Sequence, residues 1–169
     1  RCAIVTGVQT CALPICGMSE TDARMSFERH ATSKIQKAQD LFNIRSMGFR
    51  GEALASIASV AKVELKSKRK EDEMGTLVIL EGGVMKQHEP NACTNGTSVT
   101  VKNLFYNIPV RKNFLKSDSV EYRHISEEFI RAALAFPSIK FVMSSGQQEV
   151  YHLNPGNMRQ RIVGIFGKR

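Results

Sequence analysis

No apolar run in the chain approaches the ~18 residues that a bilayer-spanning helix needs, so no membrane span is read from it. The N-terminus has neither the charged n-region nor the long apolar h-region of a secretory signal, and a cytoplasmic protein is the expectation. The four cysteines, Cys2, Cys11, Cys16 and Cys93, include no CxxC pair, a pattern that predicts reduced thiols rather than a disulfide frame or a zinc site. Acidic residues are in deficit, 16 against 24 Lys and Arg, which leaves a formal net charge of +8. A surface of that sign attracts polyanions, nucleic acid foremost. The densest basic clusters are Lys66 to Lys70 and Arg111, Lys112 to Lys116. Because Glu71, Asp72 and Glu73 follow the first cluster directly, it reads either as a solvated loop close to local neutrality or as a DNA contact.

At 169 residues the chain can bury one sizeable core, with a partial second unit. Residues 1 to 15 differ from the rest. They hold two of the cysteines and one charged residue, and Val5 to Ile15 resembles the in-frame translation of a sequencing-library adapter. The competing reading is an edge strand over Cys2 to Val8.

From Ser19 the chain is well formed. Ser19 with Asp22 three residues later makes a capping-box pattern, and a helix to about His30 is predicted. Residues 29 to 47 are polar with few apolar anchors, which suits either a lid over a site or a plain surface connection. A helix from Gly51 to Ala61 is followed by alternation at Val63 and Leu65, then strands at Thr76 to Glu81, Val84 to Glu89 and Gly96 to Lys102, an antiparallel signature. Pro109 stops the strand side of Leu104 to Pro109 and a short basic turn follows. Ser119 is the predicted cap of a long helix with Val120, Ile125, Phe129, Ala132, Ala133 and Phe136 inward. Two strands are expected around Ser145 and Gly146. Asn154-Pro155-Gly156 marks a boundary, after which Asn157 caps a helix with Met158, Ile162, Ile165 and Phe166 at helical spacing.

The chemistry concentrates at Gly48-Phe49-Arg50-Gly51-Glu52-Ala53-Leu54. Two glycines three apart open onto an apolar helix whose N-terminal amides and positive dipole end would face out of the turn. Glycine there allows backbone to approach an anion, and Arg50 can add charge from the rim. Glu52 would repel a phosphate, so it is expected to point sideways, towards Arg50. An isolated GxxG is equally an ordinary glycine turn. His30 and His124 read as surface or packing residues, and Phe105 and Tyr106 as core packing at a strand end.

Four ordered blocks are specific together. Arg29-His30-Ala31-Thr32-Ser33-Lys34-Ile35, Gly48 to Leu54, Gly96-Thr97, and Leu104 to Leu115 resemble the N-terminal ATPase region of the MutL mismatch-repair family, over about residues 16 to 169. The resemblance implies a GHKL ATPase, an α/β two-layer sandwich with a mostly antiparallel mixed sheet, here truncated at its N-terminus. It places Gly17 at the end of the Asp-x-Gly-x-Gly block, Thr32, Ser33 and Lys34 in the nucleotide lid, and Gly48, Phe49, Arg50, Gly51, Glu52, Ala53 and Leu54 in the phosphate block. The Thr97 hydroxyl would support adenine recognition. ATP and Mg2+ are the implied cofactors. DNA, a second copy of the N-terminal region when ATP is bound, and a mismatch-recognition protein are the implied partners. The alternative from another class is a non-catalytic DNA-binding or assembly module.

The family's general-base glutamate, magnesium-binding asparagine and adenine-reading aspartate find no counterpart in this sequence, where positions 12 to 15 read Ala-Leu-Pro-Ile. The expectation is therefore that residues 1 to 15 are non-native, 16 to 154 form a partial ATPase domain, 155 to 169 lead into a second domain, and this chain alone does not hydrolyse ATP. Genomic sequencing across the codon for Cys16 is expected to show a helix carrying Glu and Asn, then Asp-x-Gly joined to Gly17. Recovery of Val5 to Ile15 as true coding sequence would remove the adapter reading.

Overall fold

The computed structural model describes residues 16–31, 39, 42 and 50–167. Two compact units divide between Asn113 and Phe114. In the first, helix α1 (Glu20–Met25) is capped by Ser19, whose Oγ accepts from the Asp22 amide at 3.1 Å and donates to the Asp22 carboxylate at 2.7 Å. The helix stops five residues short of the expected His30. Ser26 turns its hydroxyl back onto the Ala23 carbonyl at 2.7 Å, competing with the helical ladder, Phe27 turns into the core, and His30 is left-handed at φ 64°.

Helix α2 (Ala53–Val60) leads into β1 (Lys62–Lys68), β2 (Gly75–Glu81), β3 (Val84–Asn91) and β4 (Gly96–Lys102). The strand order is β3-β2-β1-β4, and every pairing is antiparallel. Strict alternation along β1 buries Val63, Leu65 and Ser67 on one face and sends Lys62, Glu64 and Lys66 to the other. Register sets these in three cross-strand rows: Leu80, Val63 and Val101; Val78, Leu65 and Val99; Thr76, Ser67 and Thr97. Met18, Ala23 and Phe27 join Ala58 and Ala61 over the two apolar rows, so both helices cover the same face. This is the expected α/β class with its antiparallel sheet. On the opposite face Lys66 lies 2.9 Å from Glu64, with Lys102 at 3.6 Å. The Lys66 hydrogen bond holds the Glu64 carboxyl below its usual range.

The turn after β4 has a role that the sequence reading missed. Its Phe105 amide donates to the Val60 carbonyl at 2.7 Å and the Asn107 side-chain amide to the Ser59 carbonyl at 2.9 Å. Gly83 and Gly82, in the turn between β2 and β3, donate to Ala58 and Ala61 at 2.8 and 3.2 Å. Together they satisfy carbonyls that the end of α2 leaves without helical partners. Phe105 is half-buried and Tyr106 is 39% exposed beneath the Lys62 ammonium, so only the first fits the packing expectation. Residues Pro109–Asn113 form a short helix, α3, where a turn was expected.

The second unit contains α4 (Asp118–Ala135), the hairpin β5 (Phe141–Ser145) and β6 (Gln148–Leu153), and α5 (Met158–Phe166). Ser117, not Ser119, is the N-cap of α4; Ser119 lies in the first turn with its hydroxyl 3.1 Å from that of Ser117. Of the expected inner face Ala133 is fully buried, while Ile125 is exposed. Phe129 meets Phe141 edge-on and stacks on Tyr151. Asn157 and Gln160 form a reciprocal capping box on α5. Ile165 alone of the four predicted α5 residues is buried. The stripe it shares holds Arg161, 3% exposed, whose Nη2 donates to the Pro137, Ile139 and Asn154 carbonyls and whose guanidinium lies 5.4 Å from the Phe141 ring centre. Burial lowers the Arg161 pKa.

Leu65 is fully buried at the middle of the central strand. Leu65→Ala is expected to cost about 2–5 kcal/mol of stability by urea unfolding; a loss under about 1 kcal/mol would show that this row is not the centre of the core.

Candidate functional site

The covered face of the sheet changes from hydrocarbon to hydroxyl at its third row, and there the chain after Gly17 docks. The Met18 amide donates to Ser67 Oγ at 2.7 Å, Ser67 Oγ lies 2.8 Å from Thr97 Oγ1, and the Gly96 carbonyl is 3.3 Å away. Gly17 is left-handed at φ 85°, and a β-carbon on it would sit 1.9 Å from the Lys68 carbonyl oxygen, against backbone that cannot give way. Gly17 and Thr97, far apart in sequence, are thus joined through Ser67, a residue absent from the sequence-predicted set. Its signal was the alternation itself, which puts a hydroxyl where Val63 and Leu65 lead one to expect another aliphatic side chain.

A second cluster forms at the start of α2. Gly51 is left-handed at φ 66°, and a β-carbon there would lie 2.3 Å from the Ala31 carbonyl oxygen, so this glycine admits the chain at Ala31, the first residue matched to the lid. Glu52 occupies the N-cap position with no side-chain capping bond. Its carboxylate is drawn sideways, 3.2 Å from Arg50 Nε and 3.1 Å from His30 Nδ1, as the sequence led us to expect for Arg50. His30, read as a surface residue, is the additional partner. Among the described residues the first-turn amides of α2 are thereby left without a carboxylate cap, a donor set that suits an anion such as a phosphate. Leu54 packs against the core, which leaves only its backbone for a ligand there, while Ala53 is exposed.

The remaining predicted residues, Thr32, Ser33, Lys34, Gly48 and Phe49, lie outside the described residues. Among the described residues no group of three or more His, Cys, Asp or Glu is placed to hold a metal ion, and magnesium coordination is not assigned to them. The surface pocket beside His152, Asn154, Gln160 and Arg161 belongs to the other unit and contains none of the predicted residues. No described helix is long and apolar enough to cross a membrane.

The basic clusters separate. Arg69 grips Asp72 with two hydrogen bonds of 2.9 and 2.8 Å and approaches Glu71 at 3.5 Å. That bond raises the Arg69 pKa and lowers the Asp72 pKa. With Lys66 on Glu64, the Lys66 to Lys70 stretch spends much of its charge locally. Arg111 and Lys112 on α3 are exposed and have no ion-pair partner among the described residues.

The chain is 57% identical over 151 residues to the DNA mismatch repair protein MutL of Christiangramia forsetii, and 52% identical over 153 residues to that of Bacteroides fragilis. These alignments cover 89% and 90% of this chain and 24% of each relative. The chain belongs to the MutL family. Its fold agrees: the Aquifex aeolicus MutL ATPase domain complexed with ADP superposes with a TM-score of 0.67 at 29% identity, over 79% of this chain and 53% of that one. The N-terminal domain of a DNA repair protein gives a TM-score of 0.69 at 24% identity, over 90% of this chain and 45% of that one, a likeness of fold. No protein-family model matches the chain. The chain spans about a quarter of the length of the MutL relatives it matches.

Gly83 supplies an internal control for the glycine of the first cluster in this MutL chain. Its φ is 83°, close to the 85° of Gly17, but a β-carbon would meet nothing nearer than 3.6 Å. Gly83→Ala is expected to cost about 1–2 kcal/mol from the left-handed backbone alone, and Gly17→Ala at least about 2 kcal/mol more by chemical denaturation. Equal losses would show that the contact with Lys68 is not a constraint.

Proposed function

We propose that the whole protein is a DNA mismatch-repair ATPase of MutL type, in which ATP binding and hydrolysis gate dimerisation of the N-terminal region and contacts with DNA and a mismatch-recognition protein. The observation that carries this reading is the N-terminus of α2, uncapped among the described residues, with Gly51 at its entrance and Glu52 turned aside. That arrangement suits a phosphate chain, held by Gly48, Phe49, Arg50, Gly51, Glu52, Ala53 and Leu54, chiefly through backbone amides. The Gly17 and Thr97 cluster would receive the base, and Thr32, Ser33 and Lys34 would close over the nucleotide. ATP, when bound, supplies a phosphoanhydride whose cleavage can separate two states of the protein. The binding of ADP by the Aquifex aeolicus domain and the names of the relatives support the same assignment. DNA would meet exposed positive charge, with Arg111 and Lys112 the best-placed candidates.

The charge of +8 also favours a second reading, a DNA-binding or assembly module without turnover. The full-length protein decides between them. Saturable ATP hydrolysis and an ATP-dependent shift from monomer to dimer in sedimentation are expected, and Gly51→Val should abolish both. Salt-sensitive DNA binding with neither turnover nor nucleotide binding would establish the module instead.

A further inference from the structure

We infer that Ser67 is a positioning residue for base recognition, orienting the Thr97 hydroxyl towards the nucleotide while remaining out of contact with it. The inference rests on the nucleotide-site reading above. Ser67 is fully buried and sits on the central strand directly across from Thr97 in register. A serine hydroxyl has one proton and two lone pairs. One lone pair takes the Met18 amide at 2.7 Å. The proton then has two acceptors within reach, Thr97 Oγ1 at 2.8 Å, a contact in which either hydroxyl can donate, and the Gly96 carbonyl at 3.3 Å, and we assign it to Thr97. In that arrangement the Thr97 oxygen is engaged from behind and its own proton is free to point outward. An outward donor suits the ring-nitrogen acceptor on the pairing edge of adenine, directly or through a water, whereas guanine carries an N–H at the same ring position.

The Ser67 oxygen also holds the backbone at Met18, and Gly17 before it is pressed onto Lys68, so the base cluster and the strand that carries Thr97 share a single hydroxyl. Thr76 provides the contrast. It occupies the same row on the other side of Ser67 and is 3% exposed, but its hydroxyl goes to the Glu89 carbonyl at 3.4 Å. Loss of a buried hydroxyl at Thr76 should therefore touch stability and leave base choice alone.

The test uses the full-length protein and measures dissociation constants for ATP and GTP by competition against a fluorescent nucleotide, together with thermal unfolding. Ser67→Ala is expected to weaken ATP about 5- to 20-fold, the size of one lost hydrogen bond, and to compress the ATP-over-GTP preference. Thr97→Val should do the same, and the double variant should be no worse than Thr97→Val alone, since Ser67 acts through that hydroxyl. Thr76→Val should keep the preference even with a lowered Tm. If Ser67→Ala does not fold, Ser67→Cys keeps the shape with a weaker donor and should give a smaller loss of preference. A folded Ser67 variant with an unchanged ATP-over-GTP ratio, or effects of Ser67→Ala and Thr97→Val that multiply, overturns the inference. Failure of the unsubstituted protein to bind ATP would instead sink the nucleotide-site reading itself.

Discussion

The contact between Gly17 and the end of β1 is the constraint on which the rest of the first unit depends. Where a β-carbon would come within 1.9 Å of a backbone oxygen, only hydrogen fits, and the chain is fixed there by exclusion rather than by attraction. One residue later the Met18 amide reaches Ser67, and Met18 itself enters the core beside Ala23 and Phe27. The sheet face under this segment is ordered accordingly. Two rows of aliphatic side chains supply the hydrophobic burial that holds α1 and α2 down, and the third row supplies hydroxyls to a backbone that would otherwise lose its hydrogen bonds on burial. Stability and polarity are divided along one strand, and the polar end is where a site can exist.

Helix α2 shows the same division along its axis. Four donors from two different turns close its C-terminal end, and one of them, the Phe105 amide, is held in a left-handed residue at φ 61°. A non-glycine residue in that conformation carries strain of about 1–3 kcal/mol, offset here by the bond it makes possible. The N-terminal end receives no side-chain cap, although Glu52 stands in the position to give one. A helix satisfied at one end and, among the described residues, uncapped at the other, with its own carboxylate tied back by His30 and Arg50, turns its amides to where the dipole favours an anion.

Much of this was legible in the residues because it depends on local rules. Alternation located β1, β2 and β4, and Gly96 to Lys102 was bounded to the residue. The Ser19 and Asn157 caps follow from hydroxyl or amide side chains three residues before their partners. The lateral turn of Glu52 follows from charge alone. What was not legible depends on three-dimensional partners. The end of α1 is set by Ser26 and by burial of Phe27, both compatible with a longer helix in sequence. Ser67 looks like an ordinary polar residue until the register brings Thr97 beside it. Arg161 was not singled out in sequence, yet its guanidinium is held inside by three carbonyls and an aromatic ring, while three of the four apolar residues expected on that helix are exposed.

Net charge is the coarsest of the sequence signals, and the structure refines it most. An excess of +8 describes the field at a distance, which steers a polyanion towards the protein. It does not say which cations are free at contact. Lys62, Lys66, Lys102 and Arg69 each face a carboxylate within 4 Å, and each would give up that partner to engage a phosphate instead. Arg111 and Lys112 bear no such cost among the described residues. They also sit on the segment that follows the α2 cap, so the exposed charge is continuous in sequence with the turn that secures one end of the proposed phosphate helix. Helix α3 thus follows directly on a turn whose hydrogen bonds reach the carbonyl end of α2.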